Sequence, residues 1–210
     1  MLASILRNRA IPPLLKSQSR TVGQTEDISL RSDFRSAMSQ AVTGVSIVTT
    51  DGPEGRYGLT VSAVSSVSAE PPMLLVCVNQ KSVACNAIEA NGSFAISVLA
   101  TDQQSAAETF SGSNAHGVAY TFNEEDWTTA VTRSPMLRGA VATFDCELEA
   151  AIPIATHTIF VGRVQATLAH PGTPLLYTNR SYGRPRRQAR KSSRAMLPTG
   201  TKTVLEQLNV

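Results

Sequence analysis

The sequence has few cysteines and no long apolar run, and these two absences exclude several classes of protein. Only three of the 210 residues are cysteine, and three cysteines cannot form a closed disulfide framework. No segment approaches the ~20 consecutive apolar residues that a membrane-spanning helix needs. Hydrophobic residues make up 42% of the chain and charged residues 17%. This composition is ordinary for one globular domain held together by its own core.

Several catalytic and nucleotide-binding motifs are absent as well. The chain has no GxGxxG motif after a strand, no P-loop and no GxSxG nucleophile elbow. Its three histidines lack the spacing of metal ligands, so we expect no metal site. The cysteines occur without a CxxC motif or a histidine partner, which favours small buried hydrophobic side chains over redox or metal ligands. These cysteines are Cys77, Cys85 and Cys146.

Positive charge is concentrated at the two ends of the chain. Residues 1–25 carry four basic residues and no acid, and residues 184–194 carry six basic residues and no acid. Removing these ten charges from the formal net charge of +3 leaves −7 for the rest, so the folded body is acidic. The C-terminal stretch lacks aromatic residues, which favours a solvated arm over a nucleic-acid or membrane-surface arm. The boundaries are 1–25 for a basic extension, 26–183 for the folded domain and 184–210 for a basic tail.

The N-terminal extension has the composition of a mitochondrial transit peptide. Leu2, Ile5 and Leu6 recur at helical spacing among arginines, and the first acidic residue is Glu26. A secretory signal would contain an unbroken apolar stretch, which is missing here. We therefore expect targeting to the mitochondrial matrix. A disordered basic tail on a cytoplasmic protein is the alternative.

The body predicts a mainly β fold with short helices. β-branched residues are dense and punctuated by turn residues, and the strand, short helix, strand pattern suits a closed antiparallel barrel. Asp33 caps the first expected helix, Ile152-Pro153 separates the last two strands, and Phe110 and Trp127 are expected in the core or at an interface. Expected helices are 34–42, 81–90 and 103–110, and expected strands are 45–50, 57–67, 73–78, 94–99, 140–150 and 156–168.

Two clusters of small polar residues stand out. In the run 60–68, a regular strand would place Thr60, Ser62 and Ser66 on one face. Residues 79–82 lie where a buried strand runs into a helix, and a helix N-terminus binds phosphate through its free backbone amides. An ordinary helix cap and a solvated strand face explain the same residues. Spacing alone leaves both interpretations open.

The order of short motifs along the chain resembles the short-chain flavin reductase family. The segments that carry the resemblance include Phe34-Arg35, Val42-Thr43-Gly44-Val45, Gly58-x-Thr60-x-Ser62-Ala63, Ser66-Val67-Ser68 with Pro71-Pro72, Val78-Asn79-x-x-Ser82, Gly92-x-Phe94, His157-Thr158-Ile159-Phe160-Val161-Gly162 and Tyr182-Gly183. Each motif is weak alone, and their fixed order over residues 32–183 is more specific than any one of them. The resemblance implies an antiparallel split β-barrel that supplies reduced flavin to a two-component monooxygenase.

The resemblance also implies cofactors and a binding site. It implies a homodimer that binds FMN or FAD and oxidises NADH or NADPH, with the first polar cluster along the flavin ring and ribityl chain and the second at its phosphate. The flavin-binding residues expected on this basis are Thr60, Ser62, Ala63, Ser65, Ser66, Asn79, Lys81 and Ser82. A non-catalytic flavin carrier or redox sensor is the alternative function.

Two further residues are expected beside the nicotinamide. The family has a histidine in a Gly-Asp-His turn, and here the sequence reads Ala155-Thr156-His157. The histidine remains while both neighbours differ, so the resemblance leaves the turn geometry open. Hydride transfer needs the nicotinamide C4 held over the flavin N5, and His157 would position the nicotinamide or tune flavin protonation. Tyr182 is expected to contact the nicotinamide or close the pocket, with a lone exposed tyrosine as the alternative.

Overall fold

The computed structural model describes the backbone of residues 24–111 and 122–186, with side chains from residue 28 onward. The predicted transit peptide lies outside the described residues up to position 23, and the basic tail lies outside them from position 187. The helices are α1 Gln24–Gln40, α2 Val83–Asn91 and α3 Gln104–Phe110, with a 3-10 turn at Thr101–Gln103. The strands are β1 Thr43–Gly44, β2 Ser46–Thr50, β3 Tyr57–Val61, β4 Val64–Ala69, β5 Pro72–Asn79, β6 Ser93–Val98, β7 Trp127–Thr128, β8 Met136–Leu137, β9 Ala142–Ile154, β10 His157–Ala169, β11 Leu176–Thr178 and β12 Ser181–Gly183.

The main sheet is antiparallel and closes on itself. Its seven strands run in the order β3-β2-β6-β9-β10-β5-β4. In a flat sheet, six spacings of about 4.8 Å would separate β3 from β4 by roughly 29 Å. Residues 61–64, which join these strands, span at most about 11 Å. The sheet must therefore curl until its edges meet, and this geometry agrees with the predicted split barrel.

The meeting of the two edges corrects one expectation. The sequence predicts a single strand over 57–67, but the chain leaves β3 at Val61 and starts β4 at Val64. Ala63 lies between these strands, and its carbonyl accepts a hydrogen bond from the Cys77 N–H of β5 at 3.1 Å. The alternation that placed Thr60, Ser62 and Ser66 on one face is therefore wrong, because Thr60 and Ser66 belong to strands at opposite sheet edges and Ser62 lies in the connection between them.

Two hydrophobic clusters fill the two sides of the sheet. The neighbouring residues Ile47 and Val48 of β2 point to opposite faces, and both are fully buried. The first cluster contains Val48, Val61, Leu74, Val76, Val78, Cys85, Ile88, Phe94, Ile96, Cys146 and Phe160. The second contains Val45, Ile47, Leu99, Ala107, Phe110, Trp127, Leu137 and Leu175. The expectation of buried Phe110 and Trp127 is confirmed, and their ring centroids lie 5.4 Å apart.

Helices α2 and α3 lie within two residues of their expected positions, whereas α1 begins earlier than expected. Helix α2 ends at Asn91, and Gly92, which has a φ of 69°, caps the helix as expected. Helix α1 begins at Gln24 rather than at Asp33. Its Phe34 and Met38 side chains are 64% and 53% exposed, so these large apolar residues do not enter the core of the chain. Within the described residues, no helix is long and apolar enough to cross a membrane.

The hairpin of β9 and β10 turns later than the sequence predicts. Proline at position 153 indicates a break at Ile152-Pro153, but β9 continues to Ile154 and Pro153 pairs with Thr158 of β10. The turn falls instead at Ala155-Thr156. This shift places the turn directly before His157, the first residue of β10.

Candidate functional site

The pairing of β5 with β10 brings the second polar cluster next to His157. The last register pair of these two strands joins Asn79 to His157, although 77 residues separate them in the sequence. Both side chains are exposed at the end of the sheet. Residues 79–82, called the 79–82 loop below, therefore share one end of the barrel with the turn that carries His157.

The turn before His157 keeps a tight geometry despite its unexpected residues. Ala155 has a φ of 51°, in the left-handed region that favours glycine. The Thr156 hydroxyl lies 2.9 Å from Nδ1 of His157. This contact leaves Nε2 of the imidazole as the ring nitrogen directed away from the turn. The structure thus answers the question that the resemblance left open, because a threonine hydroxyl holds the imidazole ring.

Gln80 connects the 79–82 loop to the same turn. Its backbone N–H donates to the Thr156 carbonyl at 3.1 Å. Its side-chain Nε2 donates to the His157 carbonyl, also at 3.1 Å. Sequence reasoning missed both Gln80 and Thr156, because the partner of Gln80 lies on a strand that the sequence does not identify as its neighbour.

The 79–82 loop has donors that fit a phosphate. Oδ1 of Asn79 accepts a hydrogen bond of 2.9 Å from the N–H of Lys81, a residue that precedes helix α2. Ser82, at the N-cap position, makes no side-chain capping bond. Neither residue therefore acts as the ordinary helix cap that the sequence left as an alternative. Lys81 and Ser82 directly precede helix α2, at the positive end of its dipole, and ammonium and hydroxyl groups are donors that suit an anion.

The segment 62–66 presents small polar groups at the junction of the two sheet edges. Ser62, Ala63, Ser65 and Ser66 are exposed, and the Ser65 hydroxyl donates to the adjacent Ser66 carbonyl at 3.3 Å. A hydroxyl-bearing strand edge of this kind offers hydrogen bonds to a planar polar ring. These residues are called the 62–66 segment below.

Thr60 differs from the residues of the 62–66 segment. It is half-buried, and its hydroxyl donates to the Ala107 carbonyl of α3 at 2.7 Å. This bond uses the only proton of the hydroxyl group. The structure therefore places Thr60 as a contact between β3 and α3, where its hydroxyl proton is not available to a ligand.

Tyr182 lies in the small sheet β1-β11-β12 rather than beside His157. Burial raises the pKa of its phenol, with smaller contributions from the neighbouring Glu108 and Tyr177, so the hydroxyl remains protonated at neutral pH. Tyr182 lines a depression of about 420 Å³ together with Thr101, Leu175 and other residues. Among the contacts of the described residues, none joins Tyr182 to the 79–82 loop.

The cysteines behave as the sequence predicts. Cys85 and Cys146 are buried and Cys77 is partly buried, all as free thiols. Burial, followed by the nearby Asp145 charge, raises the pKa of the Cys146 thiol to about 12. Because this thiol stays neutral at physiological pH, it is a poor nucleophile. Over the ranges 24–111 and 122–186, the structure contains no group of three or more acidic, histidine or cysteine side chains arranged to hold a metal ion.

The sequence matches the family described as the flavin reductase like domain over residues 38–186. An NADH-dependent FMN reductase from Stutzerimonas stutzeri strain A1501, RutF, is 38% identical over 167 residues. The matched region covers 79% of this chain and 95% of that protein.

Solved structures of flavin reductases have the same architecture. The flavin reductase component BorF of a bacterial two-component tryptophan halogenase superposes with a TM-score of 0.68 at 33% identity, over 75% of this chain and 99% of that chain. The NADH:FAD oxidoreductase SgcE6 of Streptomyces globisporus C-1027, solved with NAD and FAD fragments, gives a TM-score of 0.65 at 31% identity, over 83% and 99% of the two chains.

Proposed function

Because this chain belongs to the flavin reductase-like domain family, we propose that it transfers a hydride from NADH to FMN and releases the reduced FMN to a partner monooxygenase. The observation that supports this proposal is the Asn79–His157 pair, which brings the 79–82 loop and His157 to one end of the barrel. The choice of FMN follows the name of the relative RutF, which is 38% identical, whereas SgcE6, at 31% identity, is named for FAD; both names give NADH as the donor. The chain is thus a flavin reductase, and its oxidised nicotinamide product is NAD⁺.

The residues of this chain divide the binding task between two groups. The Ser82 hydroxyl, the Lys81 ammonium group and the start of α2 bind the FMN phosphate. Ser62, Ser65, Ser66 and the backbone of Ala63 donate to the flavin ring and ribityl chain. When bound, FMN supplies the two-electron acceptor for the hydride.

His157 positions the nicotinamide. The contact of Thr156 with Nδ1 fixes the imidazole ring, so Nε2 is free to meet the carboxamide or ribose of NADH. Catalysis here depends on distance and orientation, because hydride transfer needs the reacting atoms in near contact. Tyr182 lines a separate depression together with Gln104 of α3, and its contact with the nicotinamide stays a prediction.

Anaerobic absorbance spectroscopy tests the proposal. Purified protein lacking residues 1–22 is mixed with FMN, and the flavin band is followed after addition of NADH or NADPH. We expect NADH to bleach the band well above the rate of a protein-free control, and FAD and NADPH to be poorer substrates. Protein that binds no flavin, or bound FMN that NADH does not bleach, would contradict the reductase function.

Release of the reduced flavin separates the proposal from the alternative of a carrier or sensor. A reductase that serves a separate monooxygenase must let reduced FMN leave, whereas a carrier or sensor retains it. Anaerobic ultrafiltration after NADH addition measures this directly. Reduced FMN in the filtrate supports the proposal, and reduced FMN retained with the protein favours the carrier or sensor.

We also propose that the protein works as a homodimer. Leu75, Ile159 and Val161 lie on the outer face of β5 and β10, where each is only half-buried in one chain. Ile152 of β9 extends this apolar face and is 46% exposed. The 79–82 loop and His157 lie at the end of the same strands, so a second copy that covers this face would also supply a wall for the exposed site.

Light scattering on a diluted sample tests the homodimer. We expect twice the mass of one chain, because an apolar face of this kind favours association in water. A mass equal to one chain at micromolar concentration would contradict the proposal.

The N-terminal extension is proposed to direct the protein to mitochondria. The support is the arginine-rich, acid-free composition of residues 1–25, whereas the relative from Stutzerimonas is bacterial. Fusing residues 1–25 to a fluorescent reporter tests import. Diffuse cytosolic fluorescence would contradict mitochondrial targeting.

A further inference from the structure

We propose that Gln80 is a positioning residue that couples FMN binding to nicotinamide binding. The inference rests on the proposed function, since it takes the 79–82 loop as the phosphate site and His157 as the nicotinamide contact. It adds that the two ligands bind cooperatively, and that one side-chain hydrogen bond carries a large part of this cooperativity.

The geometry at the end of β5 and β10 supports a mechanical link. The regular ladder ends at the Asn79–His157 pair, and Gln80 extends it with two more bonds. Its N–H holds the Thr156 carbonyl and its side-chain amide holds the His157 carbonyl, each at 3.1 Å. A single residue of the 79–82 loop therefore holds both of the backbone carbonyls that flank the Cα of His157.

The neighbouring hydrogen bonds show how binding of a ligand at the 79–82 loop affects His157. Asn79 holds the loop from within, through bonds to the backbone N–H groups of Lys81 and Ser82, both at 2.9 Å. On the other side, Thr156 holds the imidazole ring of His157. The hydrogen bonds thus form a continuous chain from the loop, through Gln80, to the histidine ring. A phosphate that orders the loop also orders His157, so the second ligand loses less conformational freedom when it binds.

Coupled binding has a measurable and reciprocal signature. If NAD⁺ tightens FMN binding by some factor, FMN must tighten NAD⁺ binding by the same factor. Couplings of this kind are typically about fivefold or more. NAD⁺ is the suitable probe, because it occupies the nicotinamide site without donating a hydride and the titration stays at equilibrium.

The test compares two glutamine variants, each of which loses one hydrogen bond donated by the side-chain amide. Gln80→Met keeps the length of the side chain and removes its donor. The matched control is Gln165→Met. Gln165 is an exposed residue of β10 whose side-chain amide donates across the sheet to Glu147 of β9 at 3.2 Å. It lies far along β10 from His157. For each protein, the Kd of FMN is measured by fluorescence with and without saturating NAD⁺, and the Kd of NAD⁺ is measured by calorimetry with and without FMN.

We expect about fivefold coupling in the wild type and in Gln165→Met, and less than about twofold coupling in Gln80→Met. The coupling factor is a ratio, so a uniform loss of stability or affinity does not change it. Coupling that persists in Gln80→Met, that is absent from the wild type, or that Gln165→Met loses equally would overturn the inference. These outcomes differ from failure of the proposed function, in which the wild type binds no FMN or NADH does not reduce bound FMN.

Discussion

Replacing His157 by alanine should lower kcat/KM for NADH by about a hundredfold, because small errors in the placement of a reacting group cost this much in rate. The FMN phosphate contacts that we propose lie on the 79–82 loop, and the side chain of Gln80 in this loop donates to the His157 carbonyl rather than to the imidazole. The Kd for FMN should therefore change by less than about threefold, since the backbone link survives the substitution. Stopped-flow measurement of flavin bleaching gives kcat/KM, and fluorescence titration gives the Kd.

His170→Ala is the matched control for this prediction. His170 is also exposed and directly follows β10, at the opposite end of the strand from His157. We expect its kcat/KM for NADH to equal that of the wild type. Equal loss in both variants, or an unchanged His157→Ala, would show that His157 does not position the nicotinamide.

Replacing Gly162 by alanine should destabilise the protein by about 2–3 kcal/mol, as overpacking in a dense core does. A Cβ at position 162 would lie 2.5 Å from Cζ of Phe94 and 2.8 Å from Cβ of Cys146. Phe94 is fully buried within the first hydrophobic cluster, so its ring can make room only by displacing neighbouring core side chains. Thermal and urea unfolding measure the loss, which corresponds to a fall in Tm of roughly 4–12 °C for a domain of this size.

Two further variants show whether the clash is the cause. Gly44→Ala is the control, because a Cβ at position 44 has no neighbour within 4 Å, and we expect its stability to stay near that of the wild type. The double variant Gly162→Ala with Phe94→Leu should lose less than the sum of the two single losses, because the smaller side chain makes room for the new methyl group. Exactly additive losses would contradict a direct clash between positions 94 and 162.

The sequence predicted the strands and α2 well wherever local chemistry decides the structure. β2, β6 and α2 start or end within two residues of their expected positions, because β-branched runs and the Asn91-Gly92 stop signal are local features. The errors occurred where distant parts of the chain set the structure. Pro153 reads as a strand break, yet in the structure it lies within β9 and pairs with Thr158.

The candidate site shows the same division between local and distant effects. The polar residues of the 62–66 segment and the 79–82 loop, together with His157, were identified from the resemblance. Their relative position was not, because the Asn79–His157 pair joins positions far apart in sequence. Thr60 illustrates the limit, since its hydroxyl is bound to α3 by a contact that no spacing rule reveals.

The sequence by itself determined the mainly β composition of the fold, the family, and the types of side chain available to bind flavin and nicotinamide. Only the tertiary structure decided which of these side chains meet and which are already engaged within the chain. The physical reason is the pairing of strands far apart in the chain. Closure of the sheet breaks the expected strand at Ser62-Ala63, and the pairing of β5 with β10 lets Gln80 and Thr156 hold the turn before His157. Such closure depends on hydrogen bonds between strands far apart in sequence, which no local pattern of residues records.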